Sequence, residues 1–317
     1  MDAPGKPDDG LFAAVAWLCG GLSGKKGETN SKLTEGALVL EGGSLRSVFT
    51  AGVLDTLLEH EIRLSYVNGV SAGTMAGMNY ISGQKGRMLR INKEYLHDRR
   101  YMGLRSLVKS RLIFNFDFVF GELSNELIPF DYDAFYSSPQ KFEVVATRCR
   151  TGRPEFFDKS SCTEMMQAVR ASSSIPMLSR MVKVNHKNYL DGGVSLPIAY
   201  ERAFELGYGK VVVVLTRHRG YRKKPVGSMT ERAYERYFAP LPHLREALYE
   251  VPGRYNRMQE EIDRLEEEGR IFVIRPEYPV DVSRFEQDVR KLEKLYREGV
   301  RIMEGRLEAL EAYLEQL

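Results

Sequence analysis

Ser71 lies in the segment GVSAG (residues 69–73), where a serine stands between two glycines. An apolar run precedes the segment and a helix-compatible stretch follows it, which is the context of a nucleophilic serine on a sharp strand-to-helix turn. In such a turn, side chains at Gly69 and Gly73 would collide with neighbouring backbone, and the N-terminus of the following helix favours developing negative charge. A plain βα turn has the same composition, so the segment alone leaves both interpretations open.

Asp191 is a candidate base for this serine, because a nucleophilic hydroxyl needs a proton acceptor. The segment YLDGG (residues 189–193) puts the acid at a strand end, and Gly192 and Gly193 leave its carboxylate accessible. A carboxylate within hydrogen-bonding distance of a serine can act directly as its base. Taken alone, Asp-Gly-Gly is usually a simple turn.

Histidine is the more familiar partner of a nucleophilic serine, and the chain has five histidines. The order Ser–Asp–His of the α/β-hydrolases requires one that follows both Ser71 and Asp191. Only His218 and His243 do so, and neither lies in a recognisable local motif. We therefore interpret both as surface or packing residues.

A third segment, EGGSLRS (residues 41–47), could supply donors for the oxyanion of an acyl-transfer reaction. Gly42 and Gly43 allow the backbone to approach closely and to turn its N–H groups inward, and Arg46 adds positive charge or fixes the loop. A phosphate-binding loop is the rival interpretation. The chain contains neither G-x-x-x-x-G-K-[ST] nor G-x-G-x-x-G, so nucleotide binding loses its best support.

The elements around these segments alternate in the manner of a parallel sheet. A strand over 36–43 precedes a helix over 47–60, and a strand over 64–70 precedes a helix over 71–83, which is the βαβ rhythm. Further strands are predicted at 141–148, 155–157, 181–193, 210–217 and 271–276, and further helices at 163–172, 257–270 and within 284–317.

Together and in this order, GGSLRS, GVSAG and DGG resemble the motifs of the patatin-like phospholipase family, which are G-G-G-x-[RK]-G, G-x-S-x-G and D-G-[GA]. The surrounding segments LVLEGGSLRSVFTAGVLD, ASSSIPMLSRMV, YLDGGVSLPI and VVVVLTRHRGYRKKP look like its bacterial branch. The resemblance covers roughly residues 37–300. It implies a three-layer α/β/α fold with a central, mostly parallel sheet, to which the chain adds a helical C-terminal extension.

The resemblance also implies roles for individual residues. Ser71 would be the nucleophile, Asp191 its general base, and the backbone around Gly42, Gly43 and Ser44 the oxyanion hole. The implied reaction is hydrolysis of a lipid acyl ester through an acyl-serine intermediate, without metal or cofactor. Supporting positions would be Arg46, Gly69, Gly73, Gly192 and Gly193.

Two residues depart from the family pattern. Ser44 stands where the family has its third glycine, and Ser47 stands where a glycine follows the basic residue. A serine keeps the backbone N–H, but its Cβ penalises a positive φ by about 1 kcal/mol or more. The departures favour, as an alternative, a catalytically weak or inactive lipid-binding or regulatory protein. An acyltransferase to a non-water acceptor is a further alternative, because it would share the acyl-enzyme.

We divide the chain into three parts. Residues 1–35 form an N-terminal segment that is flexible or interfacial, and residues 36–280 form the catalytic domain. Within that domain, residues 84–135 are basic and aromatic, which suggests a cap or insertion over the acyl site or a surface for anionic lipid. Residues 281–317 are expected to form a C-terminal helix packed on the domain.

Composition excludes several classes of function for the 317 residues. A net charge of +3 gives no case for nucleic-acid binding, and three widely spaced cysteines form neither a disulfide framework nor a zinc motif. No apolar run reaches the roughly 18 residues of a membrane span, and the first ten residues lack a basic signal-peptide region. We expect a cytoplasmic protein, with peripheral contact at the inner membrane surface as an option. The partner is a lipid or acyl-ester substrate, and the sequence does not indicate an oligomeric state.

Overall fold

The computed structural model describes residues 33–102 and 114–315. Within these residues, one sheet contains eight strands: β1 (Thr34–Leu40), β2 (Leu64–Val70), β3 (Lys141–Arg148), β4 (Pro154–Asp158), β5 (Val182–Val184), β6 (Lys187–Asp191), β7 (Val211–Val214) and β8 (Phe272–Ile274). Their order is β5-β6-β3-β2-β1-β7-β8, with β4 also paired to β3. The pairs β3–β2, β2–β1, β1–β7 and β7–β8 are parallel, whereas the pairs β3–β4, β3–β6 and β5–β6 are antiparallel.

The helices of the described residues are α1 (Val48–Glu59), α2 (Ala72–Ile81), α3 (Arg87–Tyr95), α4 (Tyr132–Ser137), α5 (Met165–Ser172), α6 (Tyr200–Glu205), α7 (Ser228–Tyr237), α8 (Pro242–Tyr249), α9 (Val251–Glu267), α10 (Val289–Glu304) and α11 (Leu307–Glu315). Short 3-10 turns follow β1 (Ser44–Ser47) and β6 (Gly192–Val194). A short helix (Phe116–Phe118) leads into a π-helical stretch (Val119–Leu127).

Helices cover both faces of the sheet, because successive side chains of a strand point to opposite sides. Leu38 and Leu40 face the layer that contains α1, α2, α5, α10 and α11. Ala37 and Val39, on the same strand, face α6 and α9. The three-layer α/β/α arrangement predicted from the sequence is thus confirmed, and the central strands are buried on both sides.

Some predicted boundaries need correction. The run over 181–193 is a hairpin of β5 and β6, because Asn185 (φ 47°) and His186 (φ 63°) form a two-residue turn. Positive φ at both central residues matches the twist of an antiparallel pair. In addition, β1 begins at Thr34, so the first strand starts before residue 36.

The C-terminal region contains two helices, α10 and α11, where the sequence suggested one over 281–317. The helix begins only at Val289, where the Asp288 side chain accepts a hydrogen bond from the N–H of Arg290 and caps it. The proposed boundary at residue 280 stays a prediction. Residues 1–32 of the N-terminal segment and 103–113 of the predicted cap lie outside the described residues.

Two glycines bring α10 against α1. This helix follows the loop at Gly42, Gly43 and Ser44, which we call the glycine loop. A Cβ on Gly52 would meet the carbonyl oxygen of Tyr296, and a Cβ on Gly299 would meet that of Phe49. Glycine at both positions therefore allows the two helix backbones to touch. Through α10, the chain after residue 284 is held in this way against α1, the helix that follows the glycine loop.

Replacing Gly299 by alanine is expected to lower the free energy of unfolding by about 2 kcal/mol. Alanine is the better helix former, but the steric overlap between the two backbones costs more free energy than the improved helix propensity contributes. The free energy of unfolding from urea titration would measure this loss. Gly305→Ala is the matched control, since a Cβ there would lie 3.5 Å from its nearest neighbour, the Arg301 carbonyl oxygen. Equal stabilities of the two variants would contradict the close helix contact.

Candidate active site

Ser71 occupies the single position between β2 and α2. Its backbone has φ 55° and ψ −127°, a conformation that L-residues other than glycine rarely adopt. Its N–H donates to the Ser172 hydroxyl over 2.9 Å, which links the turn to α5. A strained, non-glycine residue held in place by its surroundings is typical of a functional position.

Gly69 and Gly73 flank the serine in crowded positions. A Cβ on Gly69 would lie 2.6 Å from the Thr74 Cα, and a Cβ on Gly73 would lie 2.7 Å from the Glu41 carbonyl oxygen. Neither position has room for a side chain without a shift of the backbone. The glycine spacing therefore has a steric cause that is independent of any catalytic role.

Asp191, the last residue of β6, reaches Ser71 from the neighbouring part of the sheet. The Ser71 hydroxyl donates to Asp191 Oδ2 over 2.7 Å, and the Gly193 N–H donates to Asp191 Oδ1 over 2.8 Å. Burial raises the pKa of the Asp191 carboxyl, and these two hydrogen bonds oppose that rise. A Cβ on Gly192 would meet the Val145 carbonyl oxygen, so the acid sits on a tightly packed turn.

The glycine loop lies directly against the serine. A Cβ on Gly42 would lie 2.9 Å from the Ser71 Cβ, and a Cβ on Gly43 would lie 2.8 Å from the Thr216 hydroxyl. Among the described residues, we find no acceptor for the N–H groups of Gly42, Gly43 and Ser44. The loop thus presents backbone donors next to the Ser71 side chain.

Ser44 adopts a positive φ of 52°, the conformation in which its Cβ is penalised. Its hydroxyl donates to the Arg284 carbonyl oxygen over 2.9 Å, so the loop is tied to the segment before α10. Ser47, the other departure from the family pattern, has an ordinary helical φ of −68°. Only the substitution at position 44 therefore introduces backbone strain.

We expect Ser44→Gly to be more stable than Ser44→Ala by about 1 kcal/mol. Both variants lose the hydrogen bond to Arg284, but only glycine relieves the positive φ. Thermal unfolding of the two variants, measured side by side, would test this difference. If the Ser44→Ala variant were as stable as the Ser44→Gly variant, the backbone strain assigned to position 44 would be absent.

Ser71 and Asp191 line a cleft of about 590 Å³, and Gly42, Gly43 and Ser44 form part of its wall. Four basic side chains share it: Arg46, Arg217, Lys223 and Arg284. Ser44 and Ser71 also border a smaller, mostly apolar cavity, whose other side chains include Leu45, Met75, Met88, Tyr101, Phe116 and Val119. The serine thus stands between a charged space and an apolar one.

Neither His218 nor His243 lines the cleft, and no other histidine of the described residues does. His243 is exposed and contacts Glu246 over 3.3 Å. Within 33–102 and 114–315, no group of three His, Cys, Asp or Glu side chains is arranged to hold a metal ion. The titratable side chain that contacts the Ser71 hydroxyl is that of Asp191.

Several cleft residues carry no motif and were not predicted from the sequence. The buried Glu41 carboxylate accepts hydrogen bonds from the Thr216 N–H over 2.6 Å and from the Tyr255 hydroxyl over 2.9 Å. Arg217 and Lys223 follow β7, whose carboxyl end lies at the edge where ligands bind in open α/β sheets. That rule, applied to the basic run RHRGYRKK, would have pointed to them.

Comparison with known proteins identifies the family. The family model for patatin-like phospholipases matches residues 38–202, just over half of the chain. The chain belongs to the patatin-like phospholipase family. This patatin-like protein also matches, over residues 241–315, a model described as a domain of unknown function, DUF6363. Members of this family are generally hydrolases that act on lipid esters.

The curated relatives include the uncharacterised protein YjjU of Escherichia coli K12, which is 29% identical over 185 residues. That match covers 57% of the patatin-like chain and 51% of YjjU, so the chain spans about half the length of this relative. Among solved structures, VipD from Legionella pneumophila aligns with a TM-score of 0.44 and 13% identity, covering 86% of this chain and 67% of VipD. In the part of the chain that the structure describes, no helix has both the length and the apolar character to cross a bilayer.

Proposed function

We propose that this patatin-like protein is a serine-dependent lipid acyl hydrolase that uses Ser71 as nucleophile and Asp191 as general base. The observation that carries the proposal is the 2.7 Å hydrogen bond from the Ser71 hydroxyl to Asp191 Oδ2. The strained elbow and the N–H groups of the glycine loop support it independently. The cytoplasmic location and the peripheral membrane contact expected from the sequence stay predictions.

In the proposed acylation step, Ser71 Oγ attacks the carbonyl carbon of the ester while its proton moves to Asp191 Oδ2. The carbonyl oxygen becomes an oxyanion, which the N–H groups of Gly42, Gly43 and Ser44 stabilise. When the intermediate collapses, the bond to the alcohol oxygen breaks, and protonated Asp191 returns its proton to that leaving group. The products are the acyl-serine and the free alcohol.

In deacylation, a water molecule takes the place of the alcohol. The water oxygen attacks the carbonyl carbon of the acyl-serine while Asp191 accepts one proton from the water. The glycine loop again stabilises the oxyanion. Collapse breaks the bond to Ser71 Oγ, which recovers the proton from Asp191. The Gly193 N–H keeps the carboxylate oriented throughout, because it donates to the oxygen that does not face Ser71.

The apolar cavity beside Ser71 is the proposed site for the acyl chain. Met75, Met88 and Val119 line this cavity and also a second one, lined by Ile91 and other apolar residues, so the two are neighbours. Burying a methylene group contributes about 0.8 kcal/mol, which makes such a lining selective for longer chains. The polar cleft on the other side of Ser71 is left for the alcohol portion.

Met75→Trp is expected to shift the preference toward short acyl chains. The larger side chain would fill the cavity, so kcat/KM for a decanoyl ester should fall about tenfold relative to that for a butyryl ester. Hydrolysis of p-nitrophenyl esters of graded length would measure the ratio. Met75→Leu, which conserves volume, is the control. An unchanged ratio in the tryptophan variant would place the acyl chain elsewhere.

The nucleophile is tested by labelling with a fluorescent fluorophosphonate. Wild-type protein should be labelled, and Ser71→Ala should not. Ser65→Ala is the matched control, because Ser65 lies on the same strand β2 but donates to the Gly36 carbonyl away from the cleft. If wild type stays unlabelled and hydrolyses no ester, the proposed function fails.

A second candidate function is lipid binding with little turnover, and the strained Ser44 is the observation that favours it. A loop that needs a positive φ is organised less well by serine than by glycine. Co-sedimentation with liposomes in the absence of ester hydrolysis would support this candidate. Hydrolysis that disappears in the Asp191→Asn variant would exclude it.

A further inference from the structure

Four basic side chains from separate parts of the chain meet in the cleft that contains Ser71. Arg46 follows the glycine loop, Arg217 and Lys223 follow β7, and Arg284 precedes α10. We call these four residues the basic cluster. Each lies close enough to at least one of the others to influence its charge state.

Within the described residues, none of the four side chains of the basic cluster forms an ion pair with a carboxylate. Arg46 is only 8% exposed, and its buried Nε has no hydrogen-bond acceptor. Nearby arginines behave differently: Arg219 pairs with Glu267, and Arg222 lies 3.6 Å from Glu260. Buried cations are normally paired, so the cluster calls for an anionic ligand.

Charge balance in the cleft points the same way. The carboxylates that line it are Asp191 and Glu41, and Glu41 already accepts hydrogen bonds from Thr216 and Tyr255. Four cations against two carboxylates leave an excess of two positive charges. A phosphomonoester, which carries about −1.5 to −2 charges at neutral pH, matches that excess.

Aromatic rings hold two of the cations in position. The Lys223 ammonium lies 4.1 Å from the centre of the Tyr255 ring, and the Arg217 guanidinium lies 4.3 Å from that of Tyr221. Burial and neighbouring cations lower the pKa of Arg46 to about 10, and burial chiefly lowers that of Lys223 to about 8. In both groups burial is the main cause, and the nearby Glu41 carboxylate offsets the shift only in part.

We propose that the basic cluster binds the phosphate of a phosphomonoester head group, so that the cleft selects acyl esters of glycerol phosphate over neutral or zwitterionic lipids. Arginine donors suit phosphate oxygens, whereas a quaternary ammonium head group would bring a further positive charge among the cations. This inference rests on the proposed function, because it assigns the alcohol side of the same site. Arg217, Lys223 and Arg284 lie beyond the family match that ends at residue 202, so the rest of the chain supplies the selectivity.

The turnover test compares three substrates with one acyl chain: 1-acylglycerol 3-phosphate, 1-acylglycerol and 1-acylglycerophosphocholine. Wild type should show its highest kcat/KM for the phosphomonoester. Arg217→Met and Lys223→Met should each lower that value about tenfold or more, and should lower the value for 1-acylglycerol much less. Arg219→Met is the matched control, since Arg219 pairs with Glu267 outside the cleft. Unchanged fluorophosphonate labelling would show that each variant keeps a working Ser71.

The binding test uses titration calorimetry with glycerol 3-phosphate and with inorganic phosphate. We expect glycerol 3-phosphate to bind wild type and to lose affinity in Lys223→Met and Arg217→Met. If no ester is hydrolysed but this binding is lost in the variants, the proposed function fails and the phosphate site stands. Tight binding of inorganic phosphate without selection for the phosphomonoester lipid would overturn the head-group assignment. Equal losses on neutral and phosphorylated esters would also overturn it, as would no phosphate binding at all.

Discussion

The Asp191→Asn variant is expected to hydrolyse lipid esters about 10³–10⁴-fold more slowly than wild type, since removal of a general base costs roughly this much. Asparagine has nearly the same shape as aspartate and can still accept the Gly193 N–H, which donates to Asp191 Oδ1 over 2.8 Å. However, its amide would donate to Ser71 Oγ and could not accept the hydroxyl proton. Steady-state kcat with a short-chain ester is the measurement, and an unchanged melting temperature shows that the fold survives.

The pH profile separates loss of a base from loss of packing. Burial raises the pKa of Asp191, and the acid serves as a base only when deprotonated. Wild-type kcat/KM should therefore fall on the acid side at a pH above the range of an ordinary aspartate. The residual activity of Asp191→Asn should lack that acid limb. A variant with the same limb and near-normal kcat would rule out Asp191 as the base.

Gly42→Ala is expected to lower kcat about 10²–10³-fold, the cost of losing an oxyanion donor. The added Cβ would lie 2.9 Å from both the Ser71 Cβ and the Val70 carbonyl oxygen, so the loop must retreat from the serine. Such a displacement removes donors from the carbonyl oxygen in the transition state more than it affects ground-state binding. KM should consequently change much less than kcat.

Gly227→Ala is the appropriate control for that experiment. Gly227 lines the same cleft, but a Cβ there would meet nothing within 4 Å. We expect its kinetics to stay within about twofold of wild type, as is usual for substitutions that disturb no contact. If Gly42→Ala behaved like Gly227→Ala, the glycine loop would have no part in oxyanion stabilisation.

The parts of the site that could be predicted are those in which local chemistry and local geometry coincide. GVSAG and YLDGG each hold a polar residue of the candidate site and the glycines that its turn requires, so short segments were informative. The parallel core was predictable for the same reason, because β-branched runs such as VVVV at 211–214 are typical of strands buried on both faces. The turn at Asn185 and His186 was missed because one strand was predicted over 181–193, although the polar run NHKN at 185–188 interrupts the alternation there.

The basic cluster as a whole could not be predicted, because Arg46, Arg217, Lys223 and Arg284 come together only after folding. The sequence drew attention to the basic and aromatic region at 84–135, yet Arg46, Arg217, Lys223 and Arg284 come from elsewhere. Arg46 and Arg284 belong to two other segments, and only Arg217 and Lys223 share one, the basic run RHRGYRKK at 217–224. Their proximity depends on the sheet order, which places β7 beside β1, and on the packing of α10 against α1.

The hydrogen bond from Ser44 to Arg284 spans 240 positions of the chain, and this has a consequence for biosynthesis. Ser71, Asp191 and the glycine loop emerge from the ribosome well before the segment that contains Arg284 and anchors the loop has been synthesised. At that stage the nascent chain contains Ser71 and Asp191, but it has neither the Arg284 cation nor the helix α10 that packs against α1. The cleft is therefore completed only after the chain has been synthesised beyond Arg284, some 240 positions after the loop residue that it anchors.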